Sequence, residues 1–567
     1  MCPSCGRIHG RCADAMYPFL CLASRTGDQS WIAAATELFE WTESVVSQDD
    51  GSLLNDIDST WRGITVFYAL QLADCLSLHG DLLSHETVCQ WERRLYKAAL
   101  FVEGDNELHV NNVNYSIAAA CALYAAGTYL GIGRFVKMGL AAMSLVLDYF
   151  TSSGLLFGEG VPRNRVSSKG CRPIDIGYNV EESLPLLAEY AYRTNSQELA
   201  DQVRKSFRSH LLFMFGDGGW DNSFGTRNFK WTYWGSRTTD GCIPGLLLLS
   251  RGDDDLALAA RKNLTLLQKC TYHGLLAGGP AYVAANQPIC VHHTFEHAKA
   301  LAKVLDYELE EKLVDRQDAR RLPRMEHQGI IYIPEAESHV MTLGSYTATV
   351  CHGDWEYLKG GNTSGGSLGT LFHEDAGMIL CSSVGEYILK EHNNMQVPYK
   401  VVHECLTPRI EAEAQGSLYS SIYENEAHVS ISNGGIIAKG FLKDSNHVCC
   451  PSTCSTYEYR YEVNDSSFRI HARFERGVLV IPVVCWPEDE IDVTPHRETS
   501  GFSFEMRRRG LRGRNVRIEV KICGQVPMSP KLKKVFNLVP GFQAIQIDAL
   551  PVGGEASVVI SVFSLRD

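Results

Sequence analysis

The chain has 567 residues, 45% of them hydrophobic and 21% charged, with a formal net charge of −13. That length exceeds one core, which stops growing near roughly 250–300 residues, and that composition excludes wholesale disorder. The acidic balance argues against nucleic acid as the main partner, yet it leaves room for a local Arg and Lys cluster to hold an acidic ligand.

The opening Met1-Cys2-Pro3-Ser4-Cys5-Gly6-Arg7 lacks the basic-then-apolar pattern of a secretory leader, so a cytoplasmic location is expected. No apolar run reaches the ~20 residues of a membrane-spanning helix. Cys2, Cys5, His9 and Cys12 have the residue types and spacing of a small structural zinc site; reduced thiols packing an N-terminal arm are the alternative. Nineteen cysteines, an odd number, lie mostly inside apolar segments such as those of Cys75, Cys121, Cys242, Cys351 and Cys381. That usage suits buried thiols in a reducing compartment rather than a disulfide framework.

From about Asp14 to Tyr307 the pattern is helical. Residues 31–46, 61–77, 114–130, 135–150, 182–193 and 256–268 carry apolar side chains at three- and four-residue spacing, punctuated by Gly, Asp and Asn. Similar lengths and short turns predict stacked helical hairpins closing into a toroid. After the charged linker 315–321 the pattern becomes β-branched and alternating, over 330–333, 346–350, 378–383, 427–431, 467–474, 478–484, 516–522 and 556–563. The fold class expected is therefore α+β and multidomain: an α/α toroid over residues 1–320, then a large antiparallel β-sandwich over 321–567.

Chemistry concentrates in four stretches. Residues 217–240 have no helical period and gather Trp220, Trp231, Trp234, Tyr233, Arg227, Arg237 and Lys230 among glycines. Indole rings stack on sugars and guanidinium groups grip carboxylates, although rings can equally pin a loop between helices. Upstream, Arg163 follows Glu159, and Tyr178-Asn179 lies at a helix mouth, where Asn179 with Glu182 fits a capping box or a carboxylate contact. His293 and His297 share a helix face, which suits a polar lining better than a metal pair. In the β half, a Gly- and hydroxyl-rich loop 360–367 precedes His373, a candidate general base or a surface hairpin histidine.

This order of domains and residues resembles the heparinase II/III-type polysaccharide lyases, with their relatives the oligoalginate lyases and the dermatan-sulfate epimerase. The resemblance covers nearly the full length and implies a uronate lyase working by β-elimination, expected to be exo-acting, with no cofactor required. Asn179, Tyr233 and Arg237 fall in the order and spacing of that family's carboxylate neutraliser, acid and neighbouring Arg. Where the family often has Gly-His-x-His-x-Asp, this chain has Gly361-Asn362-Thr363-Ser364-Gly365. The second base is thereby left among His373, His293 or neither, with Tyr233 serving as both. Trp220, Trp231, Trp234, Arg227, Arg163, Asn112, Tyr178 and Glu182 would bind an acidic oligo- or polysaccharide. Two alternatives share the scaffold: a glycoside hydrolase using Glu159, Asp175, Glu181 or Asp240, and a uronate C5-epimerase. A homo-oligomer is compatible with the sequence.

Overall fold

The computed structural model describes residues 2, 6–56, 60–314, 320–358, 363–387, 403–432, 434–451, 455–464, 466–495, 501–524 and 533–565. Its helical half is a ring of antiparallel hairpins. Met16–Thr26 pairs with Ser30–Val45, Thr65–His79 with His85–Gly104, Val113–Leu130 with Gly133–Val146, Leu184–Arg193 with Gln197–His210, and Ile243–Leu248 with Asp254–Lys269. The first member of each pair packs on the first member of the next, and Val291–Asp306 closes the ring against Met16–Thr26.

Composition decides which helix faces inward. Thr65–His79 buries thirteen of its fifteen residues and Val113–Leu130 thirteen of eighteen, so both are apolar nearly all round. Their partners Ser30–Val45 and Gly133–Val146 bury three of sixteen and four of fourteen, the single stripe of an outer helix. Alanine and glycine let the layers approach closely: a Cβ on Gly139 would come within 2.8 Å of the Ala120 carbonyl oxygen and the Tyr124 nitrogen. Gly27 and Gly131, at φ 73° and 69°, end two of these helices in the left-handed conformation that glycine adopts without strain.

The segment expected to form one helix from Glu182 is built differently. Asp175, not Asn179, caps it: the Asp175 side chain accepts the Tyr178 N–H at 2.9 Å. The turn Ile176–Tyr178 then widens into a π-helical turn, Asn179–Ser183, before Leu184–Arg193 continues as α-helix. Such bulges cluster at functional sites. Glu182 makes no capping box, because its Oε2 instead accepts the Asp240 N–H at 3.1 Å.

The β half holds a five-stranded antiparallel meander, Gly329–Ile333, Ser338–Leu343, Tyr346–Cys351, Ser367–His373 and Gly377–Cys381. A second five-stranded sheet runs from Ser417–Ser420 through Val478–Cys485 to Lys533–Asn537. An eight-stranded sheet from His428–Ser432 to Glu490–Pro495 covers them, and the inward residues share one core containing Val350, Leu371, Ile436, Tyr459, Ile518 and Val558. The fold is thus an α/α toroid followed by an antiparallel β-sandwich. The charged linker expected at 315–321 falls largely outside the described residues, at 315–319.

The two halves are locked together through buried groups. Asp221 of the toroid accepts from Arg324 at 2.9 Å, Thr349 at 2.5 Å and Thr370 at 3.1 Å, with Asp221 and Arg324 both wholly buried. Phe215 stacks on Phe372 at 5.1 Å beside this pair. Removing one partner of so buried a pair costs about 3–5 kcal/mol, so the junction is rigid. Among the described residues no helix is long and apolar enough to cross a membrane.

Candidate active site

Two loops of the toroid, 158–178 and 222–240, meet at one carboxylate. Asp175 Oδ2 accepts the Arg227 N–H at 2.7 Å and the Asn222 amide at 3.1 Å, while its Oδ1 caps the Tyr178 turn. This brings Tyr178 together with Lys230 and Thr238, 52 and 60 positions away. Lys230 Nζ donates to the Tyr178 hydroxyl oxygen at 3.1 Å, and the Thr238 hydroxyl lies 2.9 Å from the same oxygen. The Arg227 guanidinium sits 3.8 Å from the centre of the Tyr178 ring. A phenol so flanked is surrounded by the positive charge that would stabilise its phenolate.

Arg227 is held in turn by Glu159 at 3.1 Å, and Glu159 Oε1 accepts the Asn114 N–H at the mouth of Val113–Leu130. Burial pushes the Glu159 carboxyl up to about 7 against the opposing pull of Arg227. Thr238 adopts φ 63°, a left-handed conformation costly for a β-branched residue. Strain of that kind persists where surroundings over-determine it, and here the Thr238 carbonyl is gripped by Arg11 at 3.2 Å. Asn112 and Asn114, both buried beside this site, have side-chain oxygens without a hydrogen-bond partner among the described residues.

The β half reaches over the same mouth. Tyr357 stacks on Phe229 at 5.7 Å, and the Arg165 guanidinium lies 5.8 Å from the Trp355 ring. Arg163 stacks on Tyr149 at 4.6 Å and donates to the Ser116 hydroxyl. Trp61, Tyr115, Tyr149, Trp355 and Tyr357 are all partly exposed, so the cleft rim offers rings and guanidinium groups to a sugar chain.

Several residues singled out in the sequence occupy other places. Tyr233 is wholly buried at the tip of the hairpin 231–236, packed on Phe215 and Phe542, with its hydroxyl donated to Asp217 at 2.9 Å. Burial, then the Asp217 charge, hold its phenol well above the ordinary range, which is wrong for a base. Arg237 is wholly buried and donates to Tyr282 and to the Leu538 carbonyl, joining toroid to sandwich rather than facing a substrate carboxylate. Asn179 donates to the Leu156 carbonyl at 2.7 Å and to His210 at 3.1 Å inside the ring.

Trp220, Trp231 and Trp234 are no more than 1% exposed, and the Trp231 and Trp234 indoles donate to the carbonyls of Trp220 and Ala277. They fill the space between layers and present no face to a sugar. His373 closes the strand Ser367–His373, roughly 20 Å along it from Ser367 at ~3.3 Å per residue. Its Nδ1 accepts the Asp375 N–H, and burial lowers it to about 4. His293 lies in the first turn of Val291–Asp306, buried against Trp234, and its ring nitrogens have no hydrogen-bond partner among the described residues. Burial and then the Arg237 charge keep it neutral.

Gly361 and Asn362 of the β loop, and Cys5, lie outside the described residues. Of the carboxylates of the hydrolase alternative, Glu159 pairs with Arg227 and Asp175 bonds both loops beside Tyr178, whereas Glu181 accepts from Ser236 and Thr239 and Asp240 pairs with Arg11 and Lys299. Tyr178 and Arg227, expected only to bind substrate, are buried together with Lys230, named in the sequence only as part of a cluster, while Arg163 stays partly exposed at the rim.

A closed helical ring with a β-sandwich locked on its mouth, and cations gathered about a buried tyrosine hydroxyl, suit a polysaccharide lyase, an enzyme that opens uronate-containing glycans by β-elimination. The ulvan lyase N-terminal domain matches residues 1–325 and the ulvan lyase C-terminal domain residues 330–564. The chain belongs to the ulvan lyase family. A broad-specificity ulvan lyase of Formosa agariphila is 35% identical over 569 residues, covering 96% of this chain and 86% of the relative. Among solved structures, heparinase III has a TM-score of 0.53 at 11% identity, covering 97% of this chain and 76% of its own. The chondroitin AC lyase of Streptomyces coelicolor A3 has 0.52 at 10% identity, covering 99% and 76%. At such identity these two share the fold alone.

Proposed function

We propose that the chain cleaves ulvan, the polysaccharide named for its Formosa relative, with Tyr178 as both base and acid. The observation that carries the reading is the Lys230 ammonium 3.1 Å from the Tyr178 oxygen, with Arg227 against the ring. As phenolate, Tyr178 takes the weakly acidic C5 proton of the uronate. Electrons from that C–H bond form the C4–C5 double bond while the C4–O4 bond breaks, and Tyr178 returns the proton to the leaving O4. Lys230 and Arg227 stabilise the phenolate and the negative charge that grows on the uronate carboxylate in the transition state. Thr238 fixes the phenol oxygen, and Arg163 with the partly exposed rings holds the flanking sugars.

His293 is a second reading for the base, favoured by its neutral, unbonded ring in the toroid interior. Attack from a chain end and residence in a reducing compartment are finer readings; the second is supported by the burial of most described cysteines. Digestion of ulvan followed at ~235 nm, the band of an unsaturated uronate formed by this elimination, tests the activity together with product masses. Unsaturated products one water lighter than hydrolytic ones are expected; saturated reducing ends alone would refute it. Chain-end attack predicts that polymer length falls slowly at early conversion, and a rapid fall in viscosity would refute that finer reading.

A further inference from the structure

The N-terminal arm carries a metal-ligand cluster that the sequence placed only in part. Cys2 Sγ lies 3.8 Å from Cys290 Sγ, and Cys290 Sγ lies 3.3 Å from His9 Nε2. The three donor atoms all fall within 4.8 Å of one another, and the side chains are 5%, 2% and 2% exposed. Cys290 is the residue that spacing could not supply: it stands 281 positions beyond His9, immediately before Val291–Asp306. Cys12 lies outside the cluster, its thiol pushed up to about 12 by burial and then by Cys2.

Local structure builds the arm toward this geometry. The Cys2 N–H donates to the Arg7 carbonyl at 2.8 Å and the Gly6 N–H returns to the Cys2 carbonyl at 2.9 Å. Gly6, at φ 66°, makes the turn that carries His9 back beside Cys2. Zinc bonds of about 2.3 Å to sulfur and 2.0–2.1 Å to nitrogen place tetrahedral ligand atoms roughly 3.5–3.8 Å apart. The 3.8 Å sulfur–sulfur and 3.3 Å sulfur–nitrogen separations lie near those edges, whereas a disulfide would need about 2.05 Å between sulfurs. Two other carboxylate-containing groups of similar size are already filled: Arg11 and Lys299 occupy the Asp14–Asp240–Glu296 group, and Tyr17 and His79 bond Asp306.

We propose that Cys2, His9 and Cys290 bind a structural Zn²⁺ that clamps the N-terminal arm onto Val291–Asp306. Binding converts two thiols to thiolates and releases two protons to solvent, with the imidazole bound neutral and no change of oxidation state. Among the described residues these three supply three of the four tetrahedral positions. The clamp has a route to the cleft. The His9 ring packs 4.9 Å from His292, His292 is 2.8 Å from Glu296, and Glu296 pairs with Arg11 at 3.0 Å. Arg11 then grips the carbonyl of Thr238, whose hydroxyl meets Tyr178. Arg11 is thus a positioning residue; this last step rests on the Tyr178 reading, and the metal site does not.

The test uses the full chain, reduced and dialysed against metal-free buffer, with zinc counted by mass spectrometry. About one zinc per chain is expected, as for a structural site. Cys2→Ser and Cys290→Ser should fall to background, while Cys523→Ser, at an exposed thiol, should keep it. Should the variants fail to fold, wild-type protein stripped by chelator and refilled with Co²⁺ should show a thiolate-to-cobalt charge-transfer band, and chelation should lower Tm. Metal-free protein with an unmoved melt and no such band would overturn the site, as would a Cys2–Cys290 disulfide in peptide mass spectra. A Cys290→Ser protein that is folded and zinc-free, yet has wild-type kcat, would overturn the coupling through Arg11.

Discussion

Replacing Lys230 with Met removes the ammonium 3.1 Å from the Tyr178 oxygen while keeping an unbranched apolar stem of similar length. At that distance and an effective dielectric of about 20, the interaction of an ammonium with a phenolate is roughly 5 kcal/mol. Each 1.36 kcal/mol is tenfold in rate, so the proton-transfer step should slow by up to ~10⁴. Arg227 remains 3.8 Å from the ring centre, which should hold the observed loss nearer ~10²–10³. Initial rates at ~235 nm, a band that reports the C4–C5 double bond alone, should show kcat falling far more than KM changes. The variant should also recover rate as the pH rises, because base then supplies the phenolate that the ammonium no longer stabilises. A variant within tenfold of wild type, or one whose loss lies wholly in KM, would refute the reasoning.

Tyr233→Phe should leave the turnover of folded enzyme within a few-fold while lowering stability by about 1–3 kcal/mol, since it strips the buried Asp217 carboxylate of a donor; thermal melts beside rate assays check both. Glu159, buried and raised to about 7, binds a proton in the folded state that the unfolded chain releases above ~4.5, so its contribution to stability is lost as pH rises from ~4.5 to 7. That amounts to about 3 kcal/mol, and Glu159→Gln should flatten this limb in denaturant melts across pH. His210 has the opposite sign. It is buried neutral and lowered to about 4, so stability should fall by about 3 kcal/mol as pH drops from 6.5 through 4, with a shallower fall in His210→Gln. His373→Ala should keep wild-type kcat and KM, because its ring lies at the far end of its strand.

Much of the fold was legible because periodicity reports burial. The inner and outer helices differ in how much of their circumference is apolar, and the alternating strands 467–474 and 516–522 appear as Ser467–Phe474 and Asn515–Cys523. The stretch 217–240 stands out in the sequence for its lack of helical period and its cations. Its members divide by tertiary placement, however, which composition does not encode. Lys230 and Arg237 sit at the two ends of a six-residue hairpin, Tyr233 at its tip, and the tip is buried against Phe542 from the sandwich. Rings that fill a domain junction and rings that stack on sugars look alike in sequence. The Asn179–Tyr233–Arg237 spacing was matched by position, but a widened helical turn and the Asp175 cap carry Tyr178, one residue earlier, to Lys230 and Thr238. Cys290 could not be found by spacing at all, because only ring closure carries it to Cys2 and His9.

The most direct measurement is the single-turnover rate of Tyr178→Phe on ulvan, with binding measured in parallel. The substitution removes one oxygen and leaves the ring beneath Arg227. If Tyr178 takes and returns the proton, binding should stay within a few-fold while formation of the unsaturated product falls by at least ~10²–10⁴. Product formation at wild-type rate with binding intact would contradict the account and pass the role of base to His293.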